Sequence, residues 1–207
     1  MCMKIIVADD HHIVRQGLLA LFQKAQIGTI IADTGSGEQA WALIRLHEPD
    51  IAILDITIGD ISGLSICHRI QAHELKTRVI FLTEHKDIKV IDHALEAGAS
   101  GYLLKNDTFA TLVDAMQAVY LGKGYISPAN KKQLHHYRTN KSDFEITFRE
   151  KEIIRHIAQG QTNKEIGEAL CISAKTVDAH RTRVMKKLGF NKAAQLVRFA
   201  LKEGICF

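Results

Sequence analysis

From Lys4 to Leu121 the chain alternates short unbroken apolar runs with longer stretches in which apolar residues recur every three or four positions. The runs Lys4–Ala8, Thr29–Asp33, Ile51–Asp55, Arg78–Thr83 and Gly101–Leu104 are bounded by turn residues and read as strands, most of them buried on both faces. Between them, Ile13, Val14, Gly17, Leu18, Leu21 and Phe22 fall on one helical stripe. Ala40, Leu43 and Ile44 mark a second, Leu64, Cys67 and Ile70 a third, and Val90, Ala94 and Leu95 a fourth. Ser36 and Gln39 have the spacing of a capping box, and Gly98 stands where a helix ends. A fifth helix, Thr108–Leu121, stops at Gly122. Strand–helix units in this order predict an α/β fold, a doubly wound five-stranded parallel sheet with right-handed crossovers.

The pattern changes after Leu121. Residues 122–145 carry structure breakers (Gly122, Gly124, Pro128) and then a polar, basic stretch that reads as a linker with one short helix after Pro128. Residues 146–207 are helical throughout. Thr147 with Glu150, Thr162 with Glu165, and Ser173 open three helices, and Gly160, Gly189 and Gly204 close three. The expected core of this small all-α domain is Ile153, Ile154, Ile157, Ile166, Leu170, Val177, Val184, Leu188, Leu196 and Val197. A turn of three residues, Cys171-Ile172-Ser173, joins the second and third of its four helices, a helix-turn-helix arrangement. The expected domains are therefore 1–121 and 146–207, joined by 122–145.

Charge separates the two halves. Residues 1–122 hold 10 Lys/Arg and 15 Asp/Glu, net −5, and residues 123–207 hold 17 and 8, net +9, which together give the chain's +4. An acidic half suits a cation site and a basic half suits a polyanion. The four cysteines show no metal-ligand spacing, and no apolar run is long enough to span a membrane, so the expectation is a cytoplasmic protein.

Parallel strands bring their carboxyl ends to one edge, where ligands bind in open α/β sheets. The ends here carry Asp9 and Asp10, Asp55, Thr83 and Lys105. Taken singly, the acids suit turns, the threonine a strand and the lysine a surface. Taken together, the carboxylates could hold one hard divalent cation such as Mg2+. Asp55 could attack phosphorus as a carboxylate nucleophile, with Thr83 and Lys105 holding phosphoryl oxygens.

Residues 4–121 resemble the receiver domain of bacterial two-component response regulators. The resemblance is carried by Asp9-Asp10-His11, Asp55, Gly63, Thr83, Gly98-Ala-Ser-Gly101-Tyr102 and Lys105. It implies the flavodoxin-like strand order 2-1-3-4-5, with Asp55 as phosphoacceptor. It also implies Mg2+ on Asp10, Asp55 and the Thr57 carbonyl with Asp9 assisting, and Thr83 with Tyr102 as a switch pair. A sensor histidine kinase would donate the phosphoryl group, and the chain would catalyse only its own phosphorylation and dephosphorylation. Two positions depart from the receiver pattern: Gly59, where proline is common, and Glu84, where a small residue is usual.

Residues 146–205 resemble the LuxR-type helix-turn-helix of the NarL/FixJ subfamily of these regulators. The helix 174–188 carries Lys175, Arg181, Arg183, Lys186 and Lys187 against one acid, Asp178. Lys175, Thr176, Ala179, His180 and Arg183 are expected near a DNA groove, and Arg181 and Lys187 at phosphates. The expected function is a phosphorylation-dependent transcription regulator that binds double-stranded DNA as a homodimer. The alternative is a DNA-binding regulator whose receiver is gated by a ligand or partner without phosphorylation.

Overall fold

A computed structural model of the chain describes residues 3–140, 146–170 and 172–205. Cys2, Cys171 and Cys206 lie outside the described residues, as does 141–145 of the expected linker. The described part forms two compact units that divide at Leu134/His135.

In the first unit, strands β1 (Lys4–Ala8), β2 (Thr29–Thr34), β3 (Ile51–Leu54), β4 (Arg78–Thr83), β5 (Gly101–Leu104) and β6 (Tyr125–Ile126) alternate with helices α1 (His12–Ala25), α2 (Gly37–His47), α3 (Gly63–Ala72), α4 (Ile88–Glu96) and α5 (Phe109–Tyr120). All strand pairs are parallel and the order is β2-β1-β3-β4-β5-β6. The first five follow the expected order 2-1-3-4-5. The sixth corrects the count of five. Tyr125 and Ile126 pair with Gly101 and Tyr102 at the sheet edge. A strand of two residues is too short to show a periodicity, which is why it reads as linker.

Every residue of β3 is buried, as helices on both faces of a parallel sheet require. One core layer joins Ile5, Val7, Ile51, Ile53, Ile80, Leu82 and Leu103 to Leu18 and Phe22 of α1 and Leu112, Ala115, Met116 and Val119 of α5. Ile13 departs from its expected stripe and is 85% exposed. The buried residues of α1 are Leu18 and Phe22, four apart, and Ile13 lies off that line.

Helix α6 (Pro128–Asn140) follows β6, with Pro128 at the first helical position where its missing N–H costs nothing. The division between the units falls within α6, and the second unit holds α7 (Phe148–Ala158), α8 (Asn163–Leu170), α9 (Ala174–Leu188) and α10 (Ala193–Lys202). The capping box expected at α7 is present in both directions. At α8, Thr162 Oγ1 accepts from Glu165 N at 3.3 Å while Thr162 N donates to Glu165 Oε2 at 2.7 Å. Ser173 opens α9 by accepting from Thr176 N, and Gly189 closes it in the left-handed conformation. The core is Ile153, Ile154, Ile157, Ile166, Leu170, Val177, Val184, Leu196 and Ala200, with Leu188 and Val197 partly buried. No helix among the described residues is long and apolar enough to cross a membrane.

Candidate functional site

Backbone bonds lace the strand ends together at the carboxyl edge. Asp55 N donates to Ala8 O at 2.8 Å, Asp9 N to Thr34 O at 3.1 Å and Lys105 N to Thr83 O at 2.9 Å. These bonds bring the side chains that follow β1, β3 and β5 to one point. Lys105 Nζ donates to Asp55 Oδ2 at 2.8 Å and lies 2.7 Å from Asp9 Oδ2. Asp9, Asp55 and Lys105 are all buried at the side chain, whereas Asp10 is half-open to solvent. Burial works to lower the Lys105 pKa, but its hydrogen bonds to Asp55 and Asp9 outweigh this and the net direction is upward. The ammonium therefore stays charged between two carboxylates.

Oxygens of Asp9, Asp10 and Asp55 and a nitrogen of His11 lie within 4.8 Å of one another. A set dominated by carboxylate oxygens, one of them open to water, fits a hard cation such as Mg2+. Gly63 fixes the loop behind this set. A Cβ built there would stand 2.0 Å from Asp55 O, and Gly63 N donates to Ile56 O at 2.9 Å. No side chain fits, so the backbone that carries Asp55 can turn directly under α3.

Thr83 is fully buried at the end of β4. Tyr102 is also buried, with its hydroxyl donating to His85 O at 2.9 Å. Burial, then the charges of Asp55 and Asp87, push the Tyr102 phenol above its ordinary range. His85 touches three of the expected site residues. Its N–H donates to Thr83 Oγ1 at 3.4 Å, its carbonyl accepts from Tyr102, and its Nε2 lies 3.1 Å from Thr57 Oγ1. Glu84 beside it is exposed.

In the second unit, Lys175, Thr176, Ala179 and Arg183 of α9 are exposed, and His180 and Arg181 are half-buried. Val177 and Val184 form the buried side of the helix. Arg181 Nη1 donates to Asn163 Oδ1 at 3.3 Å. Burial, then the neighbouring Arg183 and Arg149 charges, hold the His180 imidazole below its ordinary pKa. Lys187 has a carboxylate partner within the domain. Its Nζ donates to Glu150 Oε2 at 2.8 Å, and Glu150 is 1% exposed. Its ammonium thus meets an internal carboxylate.

The response regulator receiver domain family matches residues 5–117, and the family of bacterial regulatory proteins, luxR family, matches residues 145–200. The oxygen regulatory protein NreC of Staphylococcus epidermidis is 35% identical over 214 residues, spanning 97% of this chain and 98% of that one. The chain belongs to the luxR-family response regulators. NreC of Staphylococcus carnosus is 34% identical over 213 residues with the same coverage. A crystal structure of a LuxR-family two-component response regulator from Aurantimonas sp. SI85-9A1 is 29% identical, with a TM-score of 0.63, and covers 68% of this regulator and 100% of that chain. The regulator RcsB in complex with DNA is 23% identical with a TM-score of 0.61, covering 96% of this chain and 98% of that one, a likeness of fold. As a member of this family the regulator is a DNA-binding transcription regulator controlled through its receiver, and not an enzyme in the ordinary sense.

Several contacts in the response regulator had no signal in the sequence. His85 sits in an irregular loop where no pattern singles it out. Asp60, also in a loop, accepts from Ser36 Oγ at 2.7 Å, Gly37 N at 2.6 Å, Glu38 N at 3.3 Å and Ile61 N at 2.9 Å. It caps α2 from the loop that follows β3. The Ser36 hydroxyl, together with the backbone donors, holds its carboxyl well below the usual range. Ser36 accepts from Gln39 N as expected, while the Gln39 side chain accepts from Thr34 Oγ1. Glu150 was legible as a capping residue, but its partner Lys187 lies 37 positions away and no spacing rule links them.

Proposed function

We propose that residues 1–121 form a receiver in which Asp55 accepts a phosphoryl group from the phosphohistidine of a sensor histidine kinase. The phosphoryl state then controls DNA binding by residues 146–207, joined through 122–145. The observation that carries this reading is the buried triangle of Asp55, Asp9 and Lys105 at the sheet's carboxyl edge. In the transfer, an Asp55 Oδ forms a bond to phosphorus as the phosphorus–nitrogen bond breaks, and the departing imidazole keeps the electron pair and takes up a proton. Asp55 Oδ1 already accepts from Ile56 N at 2.6 Å, which orients the carboxylate. Lys105 would stabilise charge on the phosphoryl oxygens, and Thr83 would turn toward them with Tyr102 behind it. Asp9, Asp10, Asp55 and the Thr57 carbonyl would hold Mg2+. When bound, the ion supplies positive charge against the repulsion between acidic site and phosphoryl group.

On the DNA side, Lys175, Thr176, Ala179, His180 and Arg183 would face the groove and Arg181 a phosphate, with dimers on paired half-sites. Lys187 serves there first as the partner of Glu150. Both the kinase's phosphohistidine and the DNA place this work in the cytoplasm.

The test is mass measurement after incubation with a small phosphodonor and Mg2+. Wild type should gain one phosphoryl mass, Asp55→Asn none, and Asp10→Asn should lose Mg2+ binding and phosphorylation together. A phosphoryl mass on Asp55→Asn would show that another residue is the acceptor.

A further inference from the structure

Helix α9 carries five cations and a single acid, Asp178. The acid is exposed, one turn after Lys175 and one turn before Thr182, which are exposed too. A carboxylate on this flank opposes approach to phosphates, so it weakens any contact that is purely electrostatic. Among the described residues it forms no ion pair. Arg181, three residues on, sends Nη1 to Asn163 Oδ1 at 3.3 Å, and Asn163 Nδ2 donates to Asp178 Oδ1 at 3.2 Å. Asn163 opens α8 and stands between the cation and the acid. Both ends of its amide are engaged, which fixes the Asp178 carboxylate and leaves Oδ2 with no donor among the described residues.

We propose that Asp178 is a base-reading residue that accepts a hydrogen bond from a cytosine amino group in the major groove, and that Asn163 is its positioning residue. The proposal rests on the DNA-binding reading above. An ionised carboxylate can only accept. In the major groove guanine offers two acceptors and thymine an acceptor and a methyl group, so neither satisfies it. Adenine has an amino donor, but the N7 acceptor beside it repels a carboxylate. On cytosine the N4 amino group is flanked by C5–H, with no acceptor on the same base. The held Oδ1 and the open Oδ2 suit a single donor arriving from outside. The charge then turns from a general cost into discrimination, since each wrong base at that position leaves a carboxylate desolvated against an acceptor.

The experiment is selection from a pool of duplexes with randomised positions, using the full-length chain treated with a small phosphodonor and Mg2+. Wild type, Asp178→Asn, Asp178→Ala and Asn163→Ala are compared by sequencing the bound fraction and by thermal melting. Wild type should enrich cytosine about tenfold at one position of each half-site, the scale of one good base contact. Asp178→Asn should shift that position toward adenine, because an amide offers the donor and acceptor that adenine pairs with. Asp178→Ala should level it while binding persists, and Asn163→Ala should blunt it several-fold. If Asp178→Ala keeps the wild-type base frequencies, or strengthens binding to all duplexes alike, the assignment is overturned. Lower melting temperatures with unchanged base preference would make the Asn163–Asp178 bond only a brace between helices. A wild-type chain that enriches no duplex would overturn the DNA-binding reading itself.

Discussion

Replacing Glu150 with glutamine tests how the helical domain is held together. The carboxylate is 1% exposed, and its Oε2 accepts from Thr147 N and from Lys187 Nζ, each at 2.8 Å. Glutamine keeps the shape and an acceptor for the cap but removes the charge opposite the ammonium. Breaking a buried ion pair by losing one partner costs about 3–5 kcal/mol. The Lys187 side chain is 14% exposed, so water can reach it in part, and about 2 kcal/mol is the expected loss. A domain of this size shifts its melting temperature by about 4–8 °C per kcal/mol, which gives a fall on the order of 10 °C. The assay is thermal unfolding of the full-length chain followed by helical signal, with Lys187→Met and the double variant completing a cycle. Lys187→Met should cost about as much, and the double variant less than the two singles summed. A Glu150→Gln chain that melts with wild type, or singles that add without coupling, would refute the claim that this pair braces α7 against α9. The same logic predicts that Lys187→Met changes the salt dependence of DNA binding less than Arg183→Met does, since the Lys187 charge is already met inside.

Gly63→Ala would place a methyl 2.0 Å from Asp55 O and 3.1 Å from Phe81 Cε1, so the loop must move by about 1 Å, at a cost of roughly 3 kcal/mol, and phosphorylation should slow at least tenfold; an active, fully stable variant would show that the loop yields freely. Glu84 is exposed and its charge is screened, so Glu84→Gln should change the rate with a small anionic phosphodonor by less than about twofold; a several-fold gain that fades with salt would show instead that it charges the mouth of the site. Burial pushes the Cys67 thiol up to about 12. Because the folded pKa exceeds the unfolded one, its contribution to stability is complete below the ordinary thiol range and is lost as pH rises from about 9 toward 12. Cys67 should accordingly resist a thiol-labelling reagent at pH 8 until the chain is unfolded; prompt labelling of the folded chain would contradict it.

The first five strands were legible because each is a run of apolar residues stopped by a turn, and burial on both faces leaves no other arrangement for β3. The site residues were legible for a related reason: they stand one position past strands whose direction is fixed, so Asp9, Asp55 and Lys105 had to meet. What the sequence did not disclose depends on approach across the chain. Ile13 looked like part of a stripe because α1 begins with apolar residues on more than one face, and only the line through Leu18 and Phe22 meets the sheet. The Lys187–Glu150 pair stayed hidden because a cation on a basic helix carries no mark of a partner 37 positions away. His85 acts largely through its main chain, which any residue type would supply. Asp60 caps a helix that begins 23 positions earlier, beyond the reach of a local capping rule.

Strand β6 changes how a movement at the site could travel. Its Ile126 lies opposite Tyr102, and its Tyr125 opposite Gly101, with Tyr125 N donating to Ser100 O at 2.9 Å. The next element is α6, whose first residue comes two positions after Ile126. The exit of the chain from the receiver is therefore stitched to the same strand that holds Tyr102, with one residue, Ser127, between β6 and α6. A displacement of β5 by a fraction of an ångström would be felt by α6 as a pull on its first turn, in the manner of a tendon inserted close to the joint it moves. Two residues of strand, too short to stand out in the sequence, set how tightly the message is tied to its carrier.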